Sequence, residues 1–280
     1  MSVFSLNDNK NCADPLRAED IRRSITCASP VSVSVFDSVG STNDIIKQLA
    51  SDGAPEGCVA VADRQTGGRG RMGRSFFSPP DSGIYMSLLL RPDLPAELSV
   101  LMTTAAAVAV CEGIERACGV ETGIKWVNDI FLGGRKVCGI LTEAAFSPDG
   151  ERISQATVGI GINVYPPRDG FPETSGYDAG YVTDVRRPGL RSQIAAGVIS
   201  SFFGYYASIG ERTFVPEYRR RSVVIGRDIF VISNGGGARA RALEIDDDCR
   251  LRVRYEDGSQ ELLRAGEISI RPAGCDTFCD

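Results

Sequence analysis

An α+β fold is expected for this chain of 280 residues, and three features lead to it. Between about residues 31 and 165, short apolar or alternating runs that read as strands are separated by stretches with apolar residues at helical spacing. A further helical pattern covers 193–209. Beyond the basic triplet Arg219, Arg220 and Arg221 only short strands follow, within about fifty residues, as in a small barrel. The expected division is an N-terminal extension (1–30), a main domain (31–220), a small β domain (221–272) and a tail (273–280).

Composition narrows the function. Apolar content of 42% and charged content of 24% are those of an ordinary globular protein. A net charge of -5 argues against a nucleic-acid binder that works by bulk electrostatics. The chain has no histidine, which removes imidazole bases, Ser-His-Asp and Cys-His systems, and histidine zinc sites. Chemistry falls to Lys, Arg, Asp, Glu, Tyr or Cys. Nine cysteines, an odd number without a Cys-x-x-Cys pair, suit a reducing compartment, and a cytoplasmic location is expected. Asp8, Lys10, Asp14, Arg17, Glu19 and Asp20 leave no room for a secretory apolar region in the first 30 residues. The longest apolar run, around 105–111, falls well short of the roughly 20 residues of a membrane span, so no membrane partner is expected.

In chain order, residues 1–30 are polar and without a strong period, as in a partly ordered extension. Residues 31–36 alternate as a strand. After a turn at 37–40, Ser41, Thr42 and Asn43 stand at a helix start, followed by Ile45, Ile46 and Leu49 at helical spacing. These residue types are preferred helix caps, which explains them without a ligand. A helix N-terminus is equally a place where N–H groups and short polar side chains meet a carbonyl or an anion.

Residues 65–76 hold four glycines and three arginines. Glycine lets the backbone approach a ligand closely, and arginine supplies forked, permanent positive donors, so the segment reads as a loop that wraps and orders on an anion. The alternative is a solvated Gly/Arg linker, but the segment lies between the apolar strands 58–62 and 83–90 and occurs once.

A long helix of small apolar residues follows at 98–117. The strand expected at 123–132 carries Lys125, Trp126, Asn128 and Asp129 among apolar neighbours. Ionisable groups there are costly unless paired or used, although a plain turn at Asn128-Asp129 also accounts for them. Gly133, Gly134 and Arg135 turn the chain into a paired strand, 136–143, that begins with Lys136. Lys136 is either a solvent-facing strand end or a partner of Asp129 across the hairpin. Residues 156–164 form another strand, whose alternating glycines leave room for a ligand or a second backbone. Residues 165–189, rich in proline, are expected to be irregular. Short strands are then expected at 223–225, 228–233, 238–245, 251–255, 260–263 and 268–270.

Five motifs taken together resemble biotin protein ligases: Ser41, Thr42 and Asn43; Gln65 with Gly68, Arg69, Gly70, Arg71, Gly73 and Arg74; Lys125, Trp126, Asn128 and Asp129; Gly134, Arg135 and Lys136 with Gly139, Ile140 and Leu141; and Gly159, Ile160, Gly161, Ile162 and Asn163. The resemblance implies a mixed sheet with packed helices related to the catalytic fold of class II aminoacyl-tRNA synthetases, then an SH3-like barrel. It also implies a two-step reaction, in which biotin and ATP give biotinyl-5'-AMP and the adenylate acylates a lysine of a biotin carboxyl carrier domain. Biotin contacts would fall to Ser41, Thr42, Asn43, Gln65, Gly68, Arg69, Gly70, Arg71, Lys136 and Gly139. ATP and adenylate contacts would fall to Arg69, Arg71, Arg74, Phe76, Lys125, Trp126, Asn128, Lys136, Gly161 and Asn163. Lys136, Arg71 and Asp129 would be catalytic, with Asp129 helping to hold Mg2+. Phe76 and Val127 stand where the family commonly has tryptophan and proline.

Two alternatives belong beside this reading. A lipoate or octanoate ligase of the same superfamily would share the sheet and a lysine. A biotin-responsive repressor would need a DNA-binding module of about 60 residues, against 30 irregular ones ahead of the first strand here, so no nucleic-acid partner is expected.

Overall fold

Strands with alternating or fully apolar faces are stable only when paired and covered, and here they assemble into one mixed sheet of eight strands and a smaller antiparallel sheet of five. The computed structural model describes residues 12–173, 178–233, 236–264 and 267–269. Residues 1–11 of the expected extension and the expected tail 273–280 lie outside the described residues.

The rest of the extension belongs to the body of the protein. Helix α1 (Ala18–Ser24) buries Ile21, and Asp14 ahead of it is buried against helix α4. The large sheet is built from β1 (Ser32–Phe36), β2 (Cys58–Ala62), β3 (Gly83–Leu90), the short β4 (Leu94–Pro95), β5 (Gly123–Lys125), β6 (Asp129–Leu132), β7 (Arg135–Phe146) and β8 (Arg152–Asn163). The order is β1-β2-β3-β8-β7-β6-β5, with β4 paired to β8. Only β1 and β2 run parallel among these pairs. Strand β3 is buried along its whole length, as a run apolar from 84 to 90 apart from Ser87 requires of a central strand.

Each face of the sheet has its cover. Helix α2 (Thr42–Ser51) packs Ile46 and Ala50 against Ala60 and Leu89. On the other face lie α3 (Val100–Cys118) and α4 (Leu190–Tyr206), which cross closely because Gly113 faces Gly197 and Val198. A Cβ on Gly113 would stand 2.9 Å from the Val198 backbone nitrogen. By length and composition α3 could cross a membrane, a point the short run at 105–111 conceals, yet Leu101, Met102 and every residue from Ala105 to Cys111 are fully buried in the core. The helix ends at Gly119, which adopts φ 69° and donates its N–H to Glu115 O.

The expected single strand 123–132 is two strands. Lys125 pairs with Asp129 across a tight turn at 126–128, so the polar residues mark a reversal of the chain. Helix α5 (Val215–Arg220) leads to the second sheet, β9 (Asp228–Ser233), β10 (Gly236–Ile245), β11 (Leu251–Tyr255), β12 (Gln260–Leu263) and β13 (Glu267–Ser269), in the order β12-β11-β10-β9-β13. The expected strand 223–225 is absent. Ser222 instead bridges Ile124 at the exposed side of β5, and Val224 is buried. Covering a sheet edge with a linker satisfies its free backbone groups.

Candidate active site

One cavity of about 340 Å³ opens where the N-terminus of α2, the Gly/Arg loop, the 126–128 turn and the middle of β7 and β8 meet. Ser41 is the residue ahead of α2, in extended conformation, but its side chain makes no capping bond, so that hydroxyl is left to the cavity. The Thr42 N–H and hydroxyl both donate to Gln65 Oε1 (2.9 and 3.1 Å), and Gln65 Nε2 donates to Ser78 Oγ (3.1 Å). The Asn43 amide is held at both ends: Oδ1 accepts from the buried Ser87 hydroxyl (2.5 Å), and Nδ2 donates to Glu143 (2.7 Å). Gly159 opposite has no room for a side chain, since a Cβ there would lie 2.2 Å from Asn43 Oδ1.

The Gly/Arg loop forms a small hairpin. Arg69 bridges Ser75, Gly70 N–H donates to Arg74 O (2.7 Å), and Phe76 N–H donates to Gly68 O (2.9 Å). Arg71, Met72 and Gly73 make its tip, with Met72 and Gly73 at positive φ and Met72 exposed. The Phe76 ring lies over Gly161 and Gly139; a Cβ on Gly161 would be 2.5 Å from it. The Arg71 guanidinium donates to Asn128 Oδ1 (2.9 Å), and Asn128 Nδ2 donates to Ile140 O (2.9 Å). Lys136 Nζ pairs with Asp129 Oδ1 at 2.7 Å, both side chains being mostly buried, which realises the cross-hairpin partnership.

Every residue named as a site candidate from the sequence lines this cavity except Gly68. Gly68 serves the stem of the loop, where a Cβ would meet Phe76 O at 2.5 Å and Ser78 Oγ at 2.7 Å. Trp126 lines the wall, but its indole N–H is committed to Cys249 O of the small sheet (2.9 Å). Asn163 is tied to Gly180 O (3.0 Å). Sequence reasoning missed Phe171, Pro172 and Ala179 of the irregular 165–189 segment, and Ile268 of β13. The only local signal for the former was the proline content. Lys136 N–H and C=O bond Asp178 O and Gly180 N–H, which stitches that segment to the start of β7.

The cavity's charge is mainly positive, from Arg69, Arg71, Arg74, Lys125 and Lys136 against Asp129. On its flank, burial tends to raise the Glu143 carboxyl, but hydrogen bonds from Lys47 and Asn43 and the Arg69 charge leave it below its usual range. Arg69 is pushed up, chiefly by its hydrogen bonds to Asp44. Such a site suits two anionic ligands brought together.

The fold and cavity fall in a known class: the family described as "Biotin/lipoate A/B protein ligase family" matches residues 35–163, and "Biotin protein ligase C terminal domain" matches 224–271. The chain is 36% identical over 233 residues to the Bifunctional ligase/repressor BirA of Bacillus spizizenii, covering 82% of this chain and 71% of that one. It is 31% identical to the Biotin--[acetyl-CoA-carboxylase] ligase of Mycobacterium tuberculosis, over 94% and 98% of the two chains. The biotin protein ligase of Aquifex aeolicus solved with biotin and ATP shares the fold, with a TM-score of 0.66 and 24% identity over 86% of this chain and 99% of that one. This chain belongs to the biotin protein ligases. It is a ligase.

Proposed function

We propose that the protein condenses biotin with ATP to biotinyl-5'-AMP and then transfers the biotinyl group to a lysine of a biotin carboxyl carrier domain of a carboxylase. The observation that carries the reading is the convergence, on one cavity, of the α2 start, the Gly/Arg loop and the Lys136–Asp129 pair. In the first step a biotin carboxylate oxygen attacks the α-phosphorus and the bond to the departing pyrophosphate breaks. Two anions must approach, so positive groups have to neutralise both. Lys136 and Arg71 are assigned that task, each charge-assisted hydrogen bond contributing roughly 1.5–3 kcal/mol. In the second step the neutral lysine amine attacks the acyl carbon, loses its proton, and AMP leaves.

Ser41, Thr42 and Gln65 are assigned to the polar head of biotin, and Phe76 with the glycine floor of Gly139 and Gly161 to the adenine. The mixed anhydride is sensitive to water, and the hairpin of the Gly/Arg loop is the element available to exclude it. Mg2+ is expected to enter with ATP as its counter-ion. Among the described residues no three acidic or cysteine side chains come together to cage the ion, and Asp129, the carboxylate lining the cavity beside Lys136, is assigned to help hold it on the phosphates. The correspondence of the two sheets to a synthetase-like catalytic fold and an SH3-like barrel is part of the same reading. So is a cytoplasmic, reducing location, supported by seven free cysteines among the described residues.

The test is direct. Incubation with biotin, ATP and Mg2+ should give biotinyl-5'-AMP by mass spectrometry, and adding a carrier domain should give biotinylated lysine. Lipoate should not substitute. Pyrophosphate exchange stimulated by lipoate and not by biotin would reject biotin as the substrate.

A further inference from the structure

The first arginine of the Gly/Arg loop lines the cavity, and its guanidinium is engaged by two carboxylates on the cavity's flank. Its Nη1 and Nη2 donate to the two carboxylate oxygens of Asp44 at 3.0 and 2.6 Å, a forked pairing, and Nη2 lies 3.6 Å from Glu143 Oε2. Asp44 is in the first turn of α2, next to Asn43. Glu143 accepts from Asn43 Nδ2 on one oxygen and from Lys47 Nζ (2.6 Å) on the other. Two carboxylates therefore join the loop stem to the helix whose start forms the biotin end of the site.

We propose that Asp44 and Glu143 are positioning residues that clamp Arg69, so that the loop and the start of α2 stay docked as one unit while the adenylate is held. Arg69 then anchors the loop, and Arg71, two residues on, reaches the reacting groups. Gly70 between them is fixed by its hydrogen bond to Arg74 O, so the hairpin is one piece, held at its stem by Arg69 and at its tip by Arg71 on Asn128. The clamp acts on retention of the intermediate, whereas the chemistry of adenylate formation rests on Lys136 and Arg71. This inference rests on the biotin-ligase reading above.

The experiment compares wild type, Asp44→Asn and Asp44→Glu. It reads the dissociation rate of preformed biotinyl-5'-AMP, the single-turnover rate of its formation at saturating biotin and ATP, and the urea midpoint. Asp44 is half exposed, with a side chain 55% accessible, so the variants should fold. Asparagine keeps the shape and removes the charge, and we expect adenylate release about fivefold faster, a loss on the scale of a partly screened forked ion pair. The formation rate should change less than about twofold, because the pair does not touch the reacting atoms. Glutamate keeps the charge and should restore slow release, a rescue that a purely structural role of Asp44 does not predict. Equal release rates in wild type and Asp44→Asn overturn the inference alone, as does fast release in Asp44→Glu. Wild-type protein that forms no adenylate overturns the biotin-ligase reading and this inference with it.

Discussion

Replacing Gly159 with alanine tests how tightly the biotin end of the site is built. The new methyl would sit 2.2 Å from Asn43 Oδ1, closer than any real contact, and 3.0 Å from its Cγ, at the tight limit. The strand cannot retreat, because Gly159 is paired on one side with Ser87 of β3 and on the other with Leu141 of β7. Asn43 must turn instead, and it then loses the hydrogen bond from Ser87 and the one it donates to the Glu143 carboxylate. A neutral bond contributes about 1 kcal/mol and one to a charged group about 2, so the substitution should cost about 3 kcal/mol. Urea unfolding measures the stability, and calorimetric titration with biotin measures the site. Biotin affinity should fall by at least about tenfold if half of that cost is felt at Ser41 and Thr42. A variant with the wild-type urea midpoint and wild-type biotin affinity would refute the idea that Asn43 is clamped.

Other substitutions act at separate points. Lys136→Ala should nearly abolish pyrophosphate release from biotin and ATP, and it leaves Asp129 as a mostly buried carboxylate without its partner; release at even a tenth of the wild-type rate, as an order of magnitude, would remove Lys136 from the chemistry. Arg71→Gly should slow pyrophosphate release less than Lys136→Ala does and let the adenylate escape before carrier labelling, which assays of the two steps run side by side distinguish. Arg191→Met should destabilise the protein by about 3–5 kcal/mol in urea, since Arg191 is fully buried and its loss strands Asp14, also buried, and Asp63. Glu217 is held from 4.5 down to about 2, first by the Arg220 hydrogen bonds, against burial and with help from Arg221. A carboxyl depressed by folding stabilises fully above its unfolded value and loses that contribution as pH falls through its folded one. The stability gap between wild type and Glu217→Gln should therefore be constant above pH 4.5 and shrink as pH falls towards 2; a gap that widens on acidification would reverse the assignment.

The site was largely legible because its residues carry chemistry that the fold alone does not need. Lysine, asparagine and aspartate inside an apolar hairpin, and glycines alternating along β8, each violate what a plain strand would prefer. What escaped notice depends on partners far apart in the chain. Asp14 reads as one polar residue in a polar stretch, and partners more than 150 residues further on, Tyr165, Gly189 and Arg191, turn it into the anchor that draws the first described residues into the core. Ile268 and Phe171 look like ordinary apolar residues, and their place in the cavity wall is set by how the small sheet and the 165–189 segment fold back. Residues 223–225 are β-branched and apolar, as a strand would be, but Val223 donates to Ile124 of β5 in the other sheet while Val224 bonds locally to Ser222 and Arg227. Trp126, expected among the adenylate contacts, lines the cavity, and its N–H also joins the two sheets, a tie the sequence does not show.

That last junction has a mechanical consequence. The linker exchanges backbone hydrogen bonds with Ile124 on both sides, the Tyr218 hydroxyl holds Val127 O at 3.0 Å, and the Trp126 indole is fastened to the 246–250 turn. α5, the linker and the small sheet thus each fasten the 124–128 hairpin at one point, the small sheet through Cys249, and Asn128 passes the connection on to Arg71. A displacement of the small sheet would therefore meet the loop tip through a chain of only two side-chain hydrogen bonds, Trp126 to Cys249 and Arg71 to Asn128.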